Sequence, residues 1–275
     1  MRSGYPFNIA HTRVDNALLL RYLSLVCFFG KGLLIRTKKS LSFYKEFMEK
    51  EIYRITEDLM IGDLKIVQDK RLYRFTSDSI LLSRFADCIN HEKVADFCAG
   101  SGIVGLHYYG LNADKVDKVD LFELQPELCE LAHTSILINR LEDKFDVIEG
   151  KLQNASADYN GKYSLVLCNP PYKKKNSGEQ GLSDHIAICR HEVEITLEEI
   201  IRTAARLLAY GGRLCICQKL ERFTDVIYYM KNNGIEPCDI AFVRTKPEKP
   251  PYLVMVKGVK GKKPQLKQIG ELING

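Results

Sequence analysis

KVADFCAGSGIVG, Lys93 to Gly105, starts as an apolar run and then breaks into three glycines within six residues. A short buried run that stops at a glycine turn and resumes with helical periodicity is the first unit of a parallel sheet. Gly100, Gly102 and Gly105 match G-x-G-x-x-G, and Glu123 lies 18 residues beyond the last of them. Such a turn brings backbone N–H groups to a ligand at a helix N-terminus and an acidic side chain to its ribose.

The same alternation continues downstream. KVDLFEL (118–124) reads as a second strand, and Pro126 opens a helix with Leu128, Leu131, Ser135 and Ile138 on one face. KFDVIEG and YSLVLC give two more strands, and a helix over 196–209 is expected to stop at Gly211-Gly212. RLCICQKL, a helix over 221–232, EPCDIAFVRTK and PYLVMVKGV complete the series. The pattern predicts an α/β fold with a mostly parallel seven-stranded sheet and helices on both faces. Only PEKPP separates the last two strands, which are expected to pair as a C-terminal antiparallel hairpin at the sheet edge. Upstream, LKIVQDKRLYRF predicts a small hairpin around Asp69-Lys70. DSILLSRFADCI predicts a capped amphipathic helix from Asp78. This region is expected to pack beside the first strand and close the ligand pocket.

Charge is unevenly spread. Residues 1–50 carry nine Lys/Arg against three Asp/Glu, and 240–275 carry eight against two, around an acidic middle. Basic ends of this kind suit a polyanionic partner such as nucleic acid. Nine cysteines without a CxxC pair or a zinc-like His/Cys spacing predict a reducing cytoplasm, no disulfides and no metal. The apolar stretch ALLLRYLSLVCFFGKGLLI is interrupted by Arg21 and Lys31, well short of the roughly 20 residues that span a bilayer. Residues 1–50 are expected to be an extension outside the working domain, with Met48 as the true start. Residues 51–270 then form the working domain, with 51–92 as a subregion, 93–270 as the core and 271–275 as a tail.

Asp96, four residues before Gly100, narrows the ligand. A carboxylate at the strand lip repels a pyrophosphate and suits a cationic amino-acid moiety. S-adenosylmethionine joins such a moiety to an adenosine ribose, whose hydroxyls Glu123 is expected to accept. Cys98, Ser101 and Leu124 complete the expected cofactor set with Asp96, Gly100, Gly102 and Glu123. On the glycine pattern alone, a nicotinamide dinucleotide remains open.

The second motif is LVLCNPPY, Leu165 to Tyr172, an apolar run ending in an amide, two prolines and an aromatic. Two prolines fix two φ angles and remove two donors, so the chain leaves the sheet rigidly. Parallel strands deliver their C-terminal ends to one crevice, so Asn169 is expected beside the glycine turn. The Asn169 side chain and the Pro170 carbonyl can accept the two N–H groups of an exocyclic amine and let its nitrogen pyramidalise. Pro171 aims the pair, and Tyr172 offers a stacking face worth about 1–3 kcal/mol per base. The bland reading is an ordinary Asn-Pro-Pro turn with Tyr172 in the core.

DFCAGSG, LFELQ and NPPY resemble the amino-methylating class I methyltransferases, whose fold is Rossmann-like. The wider set, FTSDSILLSRFA and NPPYKKKNSGEQGLSDHIAICRHE, resembles the tRNA adenine-N6 methyltransferases that act on adenine 37 of a valine tRNA. The resemblance covers about 57–268. It implies cofactor roles for Asp96, Gly100, Gly102, Glu123 and Asn169, and catalytic roles for Asn169, Pro170, Pro171 and Tyr172. Phe75, Thr76 and Asp78 match the segment that borders the methionine end of the cofactor. One departure stands out: similar enzymes often place an acidic residue after the third strand, where this chain has Lys151, and Glu149 or a backbone carbonyl is the expected substitute.

The long polar loop after Tyr172 is expected to meet RNA phosphates through Lys173, Lys174, Lys175, Arg190 and His191. The basic tail adds Lys257, Lys260, Lys262 and Lys263. Within the same motif class, ribosomal RNA, DNA or a release-factor glutamine are alternative substrates. A nicotinamide oxidoreductase and a non-catalytic RNA-binding module are the readings from other classes.

Overall fold

The computed structural model describes residues 52–72, 77–170 and 195–274. The chain divides into two compact units, Met1–Thr56 and Glu57–Gly275. The eight-stranded sheet that dominates the second unit is built from β3 (Glu92–Phe97), β4 (Val116–Glu123), β5 (Phe145–Glu149), β6 (Tyr163–Cys168), β7 (Leu208–Lys219), β8 (Ile235–Arg244), β9 (Leu253–Lys260) and β10 (Lys267–Ile273). Its order is β10-β8-β9-β7-β6-β3-β4-β5. All pairings are parallel except those of β9, which runs antiparallel to both β7 and β8. A separate two-stranded sheet joins β1 (Arg54–Asp58) and β2 (Lys65–Asp69).

Helices cover both faces. α1 (Ser77–Phe85), α2 (Ile103–Asn112) and α3 (Pro126–Ile138) lie on one side, and α4 (Leu197–Leu207) and α5 (Phe223–Asn232) on the other. Successive side chains of a strand point to opposite faces, and β3 follows the rule. Val94 joins the core beneath α1 and α2, and Ala95 joins the core beneath α4. On α3, Leu128, Leu131 and Ser135 are buried as the 3.6 periodicity requires. The start of α4 carries a capping box, with the Thr196 side chain accepting from the Glu199 N–H and Glu199 reaching back to Thr196.

Three local expectations give way to different solutions. The hairpin turn lies at Leu59–Leu64, where the Leu59 N–H donates to the Leu64 carbonyl at 2.8 Å. β2 therefore pairs with β1, and it packs on α3, whose Ser135 hydroxyl accepts the Val67 N–H at 2.9 Å. Gly211-Gly212 does not cap a helix: α4 ends at Leu207 and β7 begins at once. The glycines sit in a bulge, where Tyr163 to Leu165 of β6 is matched by Leu208 to Arg213 of β7. The sheet has eight strands because KQIGELI pairs with β8, with a register shift at Gly270, where φ is 126°. The C-terminal hairpin forms, but β9 is tucked between β8 and β7, and β10 takes the edge.

Candidate active site

The parallel register brings three strand tips together. Phe97 of β3 is level with Phe122 of β4 on one side and with Cys168 of β6 on the other. The glycine loop, Glu123 and Asn169 thus leave the sheet side by side, on strands roughly 4.8 Å apart. The loop runs through left-handed backbone at Cys98 (φ 55°), Gly100 (φ 60°) and Gly102 (φ 88°). A Cβ at Gly102 would meet Leu121 at 2.8 Å, so α2 starts hard against β4. A Cβ at Gly100 would meet nothing within 4 Å, so the loop presents bare backbone to open space there. That cradle admits a ligand close to the main chain. Cys98 adopts a conformation that costs a non-glycine residue about 1–3 kcal/mol, and its place at the lip of the cradle accords with strain stored at working sites.

Glu123, 6% exposed, holds this loop. One carboxylate oxygen accepts the N–H groups of Leu124 and Gln125, each at 2.9 Å, and the other accepts the Gly100 N–H at 2.8 Å. Burial pushes its carboxyl above the usual range, and these three donors pull the other way. A carboxylate has about four acceptor positions, so Oε2 keeps room for one ribose hydroxyl without releasing the loop. Asp96 lies beneath the loop, 1% exposed. Its Oδ2 accepts the Gly105 N–H at 2.8 Å, while Oδ1 is buried without a hydrogen-bond partner. Burial, with a smaller contribution from the charge of Glu123, pushes its carboxyl up to about 7. A cradle of bare backbone above an uncompensated carboxylate fits an adenosine derivative carrying a positive charge.

Asn169, at the end of β6, donates from Nδ2 to the Ser79 hydroxyl of α1 at 3.0 Å. Cys168, immediately before it, is fully buried, and burial raises its thiol well above the ordinary value beside the Cys98 thiol. Asp78 is 7% exposed, and its Oδ1 accepts the Tyr252 hydroxyl at 2.8 Å and the Asn274 side-chain amide at 3.0 Å. Ser79, Tyr252 and Asn274 were not expected at the site. The signal for Ser79 was a hydroxyl on the buried face of an amphipathic helix, next to Leu82 and Ser83. Glu149, the last residue of β5, and Lys151 are exposed, and between them the Gly150 N–H donates to the Glu123 carbonyl at 2.9 Å.

Among the expected residues, Asp78, Asp96, Cys98, Gly100, Ser101, Gly102, Glu123, Leu124, Asn169 and Pro170 fall within described structure. Phe75, Thr76, Pro171, Tyr172, Lys173, Lys174, Lys175, Arg190 and His191 lie outside the described residues. The basic tail is not brought to the site. β9 is antiparallel to β7, so Lys260 lies toward the end where the parallel strands begin, while Lys257 is level with Cys215 of β7 and Leu167 of β6 and is held inside the fold. Lys257 is 9% exposed and ion-paired to Asp87 and Asp239, and the Lys260 ammonium donates to the Leu208 carbonyl at 2.6 Å. Lys262 lies against Gly211 at that same end, with the exposed Lys263 next to it. A charge already neutralised inside the fold, as at Lys257, has nothing to give a phosphate.

Residues 76–223 match the model of the methyltransferase small domain. The chain belongs to that family. Its methyl donor is S-adenosyl-L-methionine. The methyltransferase is 23% identical over 189 residues to a tRNA1(Val) (adenine(37)-N6)-methyltransferase of Parabacteroides distasonis, covering 69% of this chain and 78% of that one. It is 24% identical over 182 residues to the Aliivibrio fischeri protein of the same name, covering 66% and 75%. Its fold resembles a predicted O-methyltransferase of Agrobacterium tumefaciens, with a TM-score of 0.56 at 21% identity over 71% of this chain and 86% of that one. It also resembles the M. jannaschii tRNA m1G37 methyltransferase, with a TM-score of 0.53 at 16% identity over 77% and 58%. Among the described residues, no helix is long and apolar enough to cross a membrane.

Proposed function

We propose that the methyltransferase methylates the exocyclic N6 of an adenine in tRNA, at position 37 of a valine tRNA, in the cytoplasm. The observation that carries this reading is Asn169 at the tip of β6, one strand away from the glycine cradle, with its amide nitrogen turned to Ser79. The names of the two curated relatives supply the substrate.

Bound S-adenosylmethionine supplies an electrophilic methyl group on a sulfonium sulfur. The chain's part is positioning. Asp96, Cys98, Gly100, Ser101, Gly102, Glu123 and Leu124 form the cofactor cradle, with Glu123 accepting a ribose hydroxyl and Asp96 favouring the positive charge from below. The Asn169 carbonyl oxygen and the Pro170 carbonyl accept the two N–H groups of the adenine amine. An aryl amine is a poor nucleophile because its lone pair is delocalised into the ring, and two acceptors draw that pair out of conjugation. No strong base is required, since the methylated ammonium loses its proton to water readily. Tyr172 is the stacking platform, and Lys173, Lys174, Lys175, Arg190 and His191 the phosphate contacts around an extruded base.

Nucleoside mass spectrometry of tRNA from cells with and without the gene is the test. N6-methyladenine should be present in the first and absent from the second. If instead it persists in tRNA and disappears from ribosomal RNA or DNA, the assignment of substrate fails. In the purified enzyme, Asn169→Ala should reduce turnover by about 10²–10³, the cost of one preorganised polar group. Affinity for S-adenosylhomocysteine should stay within about twofold, because the other residues of the cradle keep their own contacts with the cofactor.

A further inference from the structure

We propose that Ser79 is a positioning residue for Asn169, held at the sheet tip by a clamp of Asp78, Tyr252 and Asn274. The inference rests on the role given to Asn169 above and extends it to three elements distant in sequence.

A side-chain amide has two faces of opposite character, a carbonyl acceptor and an NH2 donor, and a half-turn about its last bond exchanges them. Only one orientation serves an amine substrate. With the carbonyl outward, Asn169 accepts an N–H; with the NH2 outward, donor faces donor and the amine is pushed away. The orientation is set by what meets the other half of the amide. Here Nδ2 donates to the Ser79 hydroxyl at 3.0 Å, and Ser79 is 3% exposed, so this partner is shielded from competing water.

Ser79 belongs to α1, a nine-residue helix, and must itself be fixed against the sheet. The adjacent residue does this. Asp78 Oδ1 accepts the Tyr252 hydroxyl at 2.8 Å and the Asn274 amide at 3.0 Å, and Asn274 also donates to the Tyr252 hydroxyl oxygen. Both donors are anchored in the sheet: the Tyr252 N–H donates to the Val243 carbonyl at 2.9 Å and the Asn274 N–H to the Arg244 carbonyl at 2.8 Å. Tyr252 leads into β9 and Asn274 follows β10, so strands across the sheet from β6 fix the helix that orients Asn169. Burial first, and the Asp78 charge after it, raise the Tyr252 phenol to about 12, against the pull of Asn274. The phenol therefore keeps its proton and remains a donor at neutral pH. β10 has a purpose beyond covering an edge: it delivers Asn274.

The test pairs kinetics with a direct view of the amide. In Ser79→Ala, kcat should fall about 3- to 10-fold, the rate equivalent of one neutral hydrogen bond. KM for S-adenosylmethionine and for tRNA should stay within about twofold. Ser79→Thr, which keeps the hydroxyl, should recover most of the loss. Tyr252→Phe, which removes one clamp bond at constant shape, should lower kcat by a smaller factor without moving KM. A wild-type kcat in Ser79→Ala, or a loss expressed in KM for the cofactor, overturns the proposal. The second readout needs no turnover: the side-chain 15N resonance of Asn169, identified by its disappearance in Asn169→Ala. It should shift and exchange faster with water in Ser79→Ala and resemble wild type in Ser79→Thr. An unchanged resonance in Ser79→Ala overturns the bond itself. A shifted resonance with no methylation of tRNA upholds the bond and rejects the substrate.

Discussion

Strand β3 carries a buried carboxylate near each end, and the two are treated in opposite ways. Glu92, its first residue, is fully buried and is met by the Arg213 guanidinium at 2.7 Å, the Tyr108 hydroxyl at 2.7 Å and the Ile89 N–H at 3.2 Å. Around it, Asp87 lies between Arg213 at 3.4 Å and Lys257 at 3.1 Å, and Lys257 also pairs with Asp239. Asp96, one residue from the other end, has a single N–H donor and one oxygen without a partner. Burying a charge is tolerable only when it is paired and hydrogen-bonded. The beginning of the strand meets that condition from within the fold. Its end does not, and on the function proposed above a sulfonium and an α-ammonium would bring the positive charge it lacks. On that proposal the finished end serves stability and the unfinished one binding.

The largest way to break this contrast is to unpair the finished end. Arg213→Met leaves Glu92 buried without its cation, and removing one partner of such a pair costs about 3–5 kcal/mol. Denaturant titration should register that loss, while calorimetry of the folded variant should give an unaltered affinity for S-adenosylhomocysteine. A parallel fall in cofactor affinity would mean that the two ends of β3 are coupled, and that separating binding from stability is wrong.

How much of this was legible in the sequence depended on how local the cause was. The cradle and the tip of β6 could be read because their determinants are contiguous: an apolar run sets a strand, and glycines or prolines set how it ends. The adjacency of the two tips followed from strand–helix alternation, which enforces parallel pairing. β10 stayed hidden because KQIGELI has no clean alternation, and its strand is an edge held by backbone bonds that tolerate lysine, glutamine and a glycine bulge. Gly211-Gly212 looked like a helix stop because a bulge and a cap call on the same left-handed freedom. Lys257 read as surface charge because its partner Asp87 is 170 positions away. Ser79 and Asn169 are 90 apart, and nothing within nine helical residues announces such a bond.

A smaller effect sharpens the contrast at its unfinished end. The Asp96 carboxyl is raised from 3.8 to about 7 by burial, so the native state holds this proton more tightly than the unfolded chain does. In the ligand-free protein, stability from this group is greatest in acid and falls as pH rises from about 4 to 7. A cationic ligand prefers the ionised form, so its affinity should run the other way, rising with pH and levelling off above 7. S-adenosylhomocysteine, which keeps the α-ammonium, should bind about tenfold more tightly at pH 7.5 than at pH 6, the factor expected for a single group with a pKa near 7. Binding near pH 6.5 should release a proton, seen as a dependence of the calorimetric heat on the buffer. Asp96→Asn should bind more weakly and lose this pH dependence. A wild-type affinity that is flat across that range would mean that Asp96 serves the loop alone, through Gly105.

The smallest effect is expected at the far end, where the tail lysines lie. Each phosphate contact on a single strand adds about 0.7 to the steepness with which log affinity falls against log salt. Lys262 and Lys263 are exposed, yet they emerge beside Gly211, at the end of the sheet remote from Asn169. If RNA is bound around the strand tips, Lys262→Ala with Lys263→Ala should leave that slope and kcat unaltered within error. A slope shallower by about 1.4 would place a phosphate on each lysine. The RNA would then have to pass from the cradle around the sheet to its opposite end, a path that only a large folded nucleic acid can follow. A short single-stranded oligonucleotide carrying the target adenine separates the cases, because it cannot reach both ends. The double variant should bind that oligonucleotide with the wild-type slope even if the whole tRNA meets the tail.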